Sequence, residues 1–370
     1  MQIHKLAAVG LLLLAGCATP SAPAETPAKA RSKAHAPAKA KAPEDPAPSS
    51  SPSSWQEALD RYSSTCPVPF FTLPHPASIT VAKRTFTMSG SVMTLEGGRW
   101  QGPLKLGVLG AIKDADDETR ENIKKAAAAF KKAGVQFVVA NGDLIANETS
   151  VLVPVVQMLG EELDVPVFAH SGNYEWTSAF TQAFAEGASR WPHLINMNLV
   201  RDVDFGGVHL LSLPGYFNRR FLQSGACHYS DVDVAELTQR AKDITGRGDI
   251  VVLTSHGPPL GAGPTALDVT NDGANVGDEQ LNLLLTDGNV SFGIFSHILE
   301  SGGRVVDDVA GSSAVTLPMK TARKRLYVNV GAATAFGWGM IGGKTSRGMA
   351  AIFTIDPGSS EGRVEVLELR

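Results

Sequence analysis

The sequence predicts an α/β protein with two central sheets flanked by helices. Three observations lead there. Short continuous apolar runs recur through the middle of the chain, at Phe137–Ala140, Val165–Ala169, Ile250–Leu253 and Val290–Phe295. Runs of this kind form strands covered on both faces. Helical patterns alternate with them, and strand patterns then cluster after residue 325. Alternation of this sort builds helices against sheets.

In chain order, Trp55–Ser64 has helical spacing in Trp55, Ala58, Leu59 and Tyr62, and Pro67 and Pro69 then break the chain. Ser78–Leu95 alternates loosely and predicts a hairpin added to the main sheet. Leu104–Leu109 reads as the first core strand. Asp116 and Asp117 offer an N-cap for an amphipathic helix, Glu118–Ala133, which Gly134 stops. Helices are expected at Val151–Leu163, Trp176–Glu186, Val232–Asp243 and Glu279–Leu285. Leu194–Val200 and Gly207–Leu213 read as paired strands. Arg325–Val330, Met349–Ile355 and Val364–Leu367 read as the second half of a sandwich.

The chain has 370 residues and 43% hydrophobic content, ample for a large core, and length alone suggests about two domains. A formal charge of −4 supplies no polyanion-binding surface and argues against a nucleic-acid partner. At the start, Lys5 is followed by the apolar stretch Leu6–Leu14, too short to span a bilayer, and by Leu14-Ala15-Gly16-Cys17. Residues 1–17 are therefore read as a secretory signal. Their ending resembles the bacterial lipoprotein box, which implies lipidation at Cys17 and a place in the cell envelope, exported and membrane-anchored. The alternative is an ordinary signal peptide. Residues 18–54 are almost wholly Ala, Pro, Ser, Thr and Lys and predict an extended tether. Residues 55–103 read as an N-terminal extension and 104–370 as the main domain. Cys66 and Cys227 remain for an oxidising compartment, where pairing is the default.

Four apolar runs end in residues with metal-ligand chemistry: Asp143, Asn173, His256 and His297. In open α/β sheets the C-terminal strand edge is where ligands bind. A carboxylate, an amide oxygen and two imidazoles suit one divalent ion of the Zn, Mn or Fe type.

These strand ends, in this order, resemble the calcineurin-like metallophosphoesterase family over roughly Leu104 to Arg370. The family pattern of Asp-x-His, Gly-Asp-x-x-Asp, Gly-Asn-His-Asp/Glu, a lone His and Gly-His-x-His reads here as Ala111-Ile112-Lys113, Gly142-Asp143-Leu144-Ile145-Ala146, Gly172-Asn173-Tyr174-Glu175, His256 and Ser296-His297-Ile298-Leu299. The resemblance implies a two-sheet αββα sandwich and a phosphoester or other anionic small molecule as partner. It also implies that one metal site of the usual pair is abolished, because three of its four positions are Ala111, Lys113 and Leu299. The other site survives in Asp143, Asn173, His256 and His297. Two readings stay open. In one, a single metal supports weak phosphoester hydrolysis, with Lys113 supplying charge and Tyr174 a proton. In the other, catalysis is gone, the metal is dispensable and the domain binds. Glu175 and His170 are weighed as residues that orient ligands, against a solvated carboxylate and a hydrogen-bonded structural imidazole.

Overall fold

The computed structural model describes residues 52–309 and 320–369. The signal, Cys17 and nearly all of the tether lie outside the described residues.

The described residues open with helix α1 (Trp55–Tyr62) and strands β1 (Ala77–Val81), β2 (Arg84–Ser89), β3 (Val92–Leu95) and β4 (Leu104–Gly110). Helix α2 (Asp117–Ala133), strand β5 (Phe137–Asn141), helix α3 (Leu152–Glu162), strand β6 (Val167–His170) and helix α4 (Thr177–Arg190) follow. Then come β7 (Leu194–Asn196), β8 (Asp202–Asp204), β9 (Val208–Leu213), α5 (Asp231–Thr245), β10 (Ile250–Ser255), α6 (Glu279–Asp287) and β11 (Phe292–Phe295). The chain finishes with β12 (Val305–Val306), β13 (Leu326–Asn329), the short pair β14 (Trp338–Gly339) and β15 (Thr345–Ser346), and the long hairpin β16 (Met349–Asp356) and β17 (Glu361–Glu368).

Two sheets carry the fold. Among the described residues one runs β17-β16-β4-β5-β6-β7 and the other β1-β2-β3-β8-β9-β10-β11-β13-β12. The strands that deliver the site, β4, β5 and β6 in the first and β9, β10, β11 and β13 in the second, are parallel within their sheets. Their C-terminal ends therefore gather on one edge.

Period-two alternation explains the layers. In β5, Phe137 and Val139 face the other sheet, while Val138 and Ala140 face the helices. In β10, Val252 enters the inter-sheet core, and Val251 and Leu253 pack toward α5 and α6. Helices α2, α3 and α4 cover one sheet and α5 and α6 the other, giving an αββα sandwich. Phe137 is the hub of the inter-sheet core, with ring centroids of Phe86, Trp100, Phe168 and Phe205 within 6.4 Å.

Helix α2 forms as its sequence dictates. Asp116 accepts the Thr119 N–H at 2.7 Å as N-cap, and Gly134 ends the helix at φ 71°. Ile123, Ala126 and Phe130 are its buried face.

Two expectations of pairing are corrected. Leu194–Val200 does not pair with Gly207–Leu213. β7 pairs with β6 in one sheet, while β9 pairs with β8 and β10 in the other. The late strands are not a separate second sheet either. β13 continues the parallel order beyond β11, and β16 and β17 extend the other sheet antiparallel beyond β4. Apolar alternation fixes which faces are covered but not which strand lies alongside.

Residues 55–103 are built into the main body. β1, β2 and β3 continue the nine-stranded sheet, with β3 parallel to β8. Cys66 and Cys227 are joined, with Cα atoms 5.2 Å apart. Arg201, fully buried, donates through Nη1 to the Val68 carbonyl at 2.6 Å and through Nε to Ser212 O. Burial pushes that guanidinium down to about 10.

Candidate metal centre

Each predicted ligand arrives at a strand end. Asp143 follows β5, Asn173 follows β6, His256 follows β10 and His297 follows β11. The chain must turn sharply there, and several residues adopt the left-handed region: Ala111 at φ 40°, Lys113 at 68°, Asp143 at 53° and His297 at 57°. Each such non-glycine residue costs about 1–3 kcal/mol and persists only where its surroundings enforce it. Two glycines are required by close approach. A Cβ on Gly142, itself at φ 66°, would lie 2.6 Å from His256 Nδ1. A Cβ on Gly172 would lie 2.6 Å from both the amide nitrogen and Oδ1 of Asp143.

The four side chains converge. His256 Nε2 lies 2.9 Å from Asn173 Oδ1, 3.1 Å from Asp143 Oδ1 and 3.1 Å from His297 Nδ1. Ligand atoms of Asp143, His256 and His297 all fall within 4.8 Å of one another. The orientation of each group follows from its outer partner. Asn173 donates Nδ2 to the Phe221 carbonyl at 2.7 Å, which turns Oδ1 inward. His256 Nδ1 lies 3.2 Å from the Asn141 carbonyl, which sets the ring so that Nε2 is directed at the centre. Carboxylate oxygen, amide oxygen and imidazole nitrogens thus meet in a buried place, with Asp143, Asn173 and His256 at 2%, 3% and 0% exposure. Donors of that kind fit a divalent first-row cation.

Electrostatics support the same arrangement. Burial pushes the Asp143 carboxyl upward, but positive charge on His256 and the Lys113 ammonium outweigh it and hold the group well below the usual carboxylate range. Burial, with the neighbouring His256 charge, lowers His297 to about 3, so it stands as a neutral imidazole at neutral pH.

Lys113 closes the other side. Its ammonium forms a buried ion pair with Asp143 Oδ2, while His256 faces Oδ1. The Nζ lies 4.2 Å from the centroid of the Tyr174 ring and 5.9 Å from that of Trp338. Tyr174 is thus placed as an aromatic face over the cation. Ala111, Leu299 and Ala332 form a small buried apolar cluster. An ammonium and hydrocarbon therefore lie at Ala111, Lys113 and Leu299, the positions read in the sequence as a lost ligand set.

Asn141 and Tyr216 are not among the site residues read from the sequence, whereas Glu175 and His170 are weighed there. Asn141 ties the sheet edges together: its Nδ2 lies near Thr254 Oγ1 at 2.8 Å, Ser255 O at 3.0 Å and Ile294 O at 3.1 Å, and its Oδ1 accepts from Ser296 Oγ at 2.9 Å. Tyr216 packs its ring against His297 with centroids 4.1 Å apart. Its signal was available, since Val208–Leu213 is a further apolar run ending in Pro214-Gly215-Tyr216. Glu175 is fully buried rather than solvated, accepting N–H bonds from Gly172 at 2.6 Å and Ile145 at 3.1 Å. Burial raises its carboxyl and the Asp143 charge adds to that. His170 is a hydrogen-bonded structural imidazole, 2.9 Å from Thr254 Oγ1, and burial lowers it to about 3.

No protein-family model matches the sequence, and no curated protein matches it. Solved structures do. One crystal structure superposes along 72% of this chain and 100% of its own, at 14% identity and a TM-score of 0.51. A dimetal phosphatase from Danio rerio covers 72% of this chain and 98% of its own, at 13% identity and a TM-score of 0.45. A putative 5'-nucleotidase from Staphylococcus aureus covers 72% of this chain and 54% of its own, at 12% identity and a TM-score of 0.42. Likeness at such identities concerns the fold alone. With layers and strand-end ligands as described, the chain has a two-sheet αββα sandwich of the calcineurin-like phosphoesterase type.

Proposed function

We propose that this domain is a divergent metallophosphoesterase with one divalent metal site and a fixed ammonium in place of a second metal, acting slowly on phosphoesters. The observation that carries this reading is the carboxylate of Asp143, shared between a four-ligand pocket on Oδ1 and the Lys113 ammonium on Oδ2. Asp143, Asn173, His256 and His297 would hold Zn, Mn or Fe. A bound divalent ion supplies Lewis-acid polarisation of a phosphoryl oxygen. Lys113 places positive charge where the phosphoryl oxygens of an ester would lie. In hydrolysis a water oxygen bonds to phosphorus, the ester P–O bond breaks, and the leaving oxygen takes a proton. Tyr174, whose ring lies against Lys113, would supply that proton from its hydroxyl. An ammonium cannot acidify water as a second metal does, so turnover is slow.

A second reading, a binding module without turnover, is favoured by the burial of the Lys113 ammonium against Asp143 and by the apolar cluster of Ala111, Leu299 and Ala332. One experiment separates the two. The protein purified without chelator is analysed for metal and assayed with bis-p-nitrophenyl phosphate. One equivalent of metal with slow turnover, both lost in His256→Ala and His297→Ala, supports the hydrolase. One equivalent with no turnover above the His256→Ala background supports the binding module. Two equivalents in the wild type would overturn the mononuclear site.

The chain is further proposed to be exported and lipid-anchored through Cys17, in the bacterial cell envelope. The signal-like start and the tether composition support this. Cys17→Ser should move the protein out of the membrane fraction, and a variant that stays membrane-bound would contradict the anchor.

A further inference from the structure

The loop of residues 214–228, between β9 and α5, touches the metal centre at two points. Near its start, Tyr216 packs against His297 with ring centroids 4.1 Å apart. The same ring lies against Gly257 beside His256, where a Cβ would sit 2.5 Å from Tyr216 Cε2. The tip of the loop closes on Asn173 from outside. The Phe221 carbonyl accepts from Asn173 Nδ2 at 2.7 Å, and the Gln223 N–H donates to the Asn173 carbonyl at 3.0 Å. One loop therefore turns the amide oxygen toward the centre and covers the His297 ring.

The tip has little packing of its own. None of residues 217–226 is buried, and Phe221 is 50% exposed. A segment with few buried apolar contacts opens at small cost. The base of the loop is held covalently instead. Cys227 is bonded to Cys66, and the Cys227 carbonyl accepts the Tyr216 N–H at 3.0 Å. Cys66 leads into Val68 and Phe71, which are buried in a small core with Ala58, Leu73 and Leu199. The disulfide thus moors the base of the loop to that core. Other ties are single hydrogen bonds, such as Gly215 N–H to Ser171 O at 2.8 Å and Thr177 N–H to Gly225 O at 2.9 Å.

We propose that the Cys66–Cys227 disulfide positions the metal centre, and that its reduction weakens divalent-ion binding by releasing the loop from Asn173; this rests on the four-ligand site proposed above. The reductant is a dithiol. One of its thiolates bonds to Cys66 Sγ, the bond to Cys227 breaks, and the Cys227 sulfur leaves with the electron pair and takes a proton. The second thiolate then displaces the Cys66 sulfur, which takes the other proton, so two cysteine thiols form and the dithiol becomes a disulfide. Attack falls on Cys66 because it is half-buried, whereas Cys227 is 1% exposed.

The test has two arms on the full chain. In the first, Zn2+ alone is titrated in competition with a fluorescent chelator. Cys66→Ser/Cys227→Ser has no thiol at either position to bind the ion itself. It should bind Zn2+ about 10–100-fold more weakly than the oxidised wild type, the usual effect of losing the outer partner of a ligand. Phe137→Ala is the comparison, since it lowers stability in the inter-sheet core and leaves the loop untouched; below its melting temperature it should bind as the wild type does. In the second arm, the metal-free protein is reduced with excess dithiol and treated with trypsin. Arg219 and Arg220, both exposed at the tip, should be cut faster in the reduced protein while its far-ultraviolet circular dichroism is unchanged, and reoxidation should restore the slow rate. A wild type that binds Zn2+ beside a serine pair that binds it equally would overturn the proposal and leave the site standing. So would equal weakening in Phe137→Ala, or a tip cut at one rate in both redox states. An oxidised wild type that binds no Zn2+ would overturn the site and the proposal together.

Discussion

Lys113→Met tests how the centre is held together. Lysine and methionine have similar length, and position 113 is left-handed at φ 68° for either residue, so the change isolates the charge. The Lys113 and Asp143 side chains are 7% and 3% exposed, so solvent screens their ion pair little. Breaking one partner of a buried pair costs about 3–5 kcal/mol, because the other charge is stranded. Part of that cost is visible in the carboxyl itself. Burial pushes Asp143 up, and the ammonium is one of the charges that hold it down. In a chain of this size about 3–5 kcal/mol corresponds to a fall of roughly 4–8 °C in melting temperature. The assay is urea unfolding at neutral pH with chelator present, so that no metal substitutes for the ammonium. Lys113→Met/Asp143→Asn should recover at least half of the loss, because a neutral amide needs no counter-charge. A single variant within about 1 kcal/mol of the wild type would refute the reasoning, since that is the worth of an exposed pair. So would a double variant less stable than Lys113→Met alone.

Phe137→Ala removes the ring on which four other aromatics converge and should cost about 3–5 kcal/mol in urea unfolding. Replacing Cys66 and Cys227 by serine opens a link between residues 161 apart and should cost about 4–5 kcal/mol in the chain-entropy account, read as a lower melting temperature. Gly172→Ala should weaken metal retention in a chelator competition, because the new methyl falls on Asp143 Oδ1; unchanged affinity would show that the loop yields. His170, held at about 3 when folded, binds fewer protons than it does unfolded. It therefore contributes stability above about pH 6.5 that is lost as pH falls toward about 3, by up to about 1.4 kcal/mol per unit. The urea midpoint of His170→Gln should fall less steeply with acidification across that window than that of the wild type.

The sequence by itself determined the strands that carry the centre and the residues at their ends. Apolar runs closed by Gly-Asp, Gly-Asn or His are local patterns, and parallel strands of one sheet bring such ends to a common edge without further information. That Ala111, Lys113 and Leu299 stand at neighbouring strand-end positions was equally legible. Helix α2 was readable to its caps, because Asp116 and Gly134 act within one turn of themselves. What only the tertiary structure decided is non-local. Alternation says that β7 and β9 each have covered faces, yet they belong to different sheets, because pairing is chosen across long separations. Asn141 reads as a turn residue until β6, β10 and β11 surround it with polar atoms to tie together. Lys113 reads as a charge near the centre, but its burial against Asp143 and under Tyr174 is decided by the fold. A groove lined by α1, α4, β1 and β7 has no pattern in the chain at all, because those elements come from distant stretches.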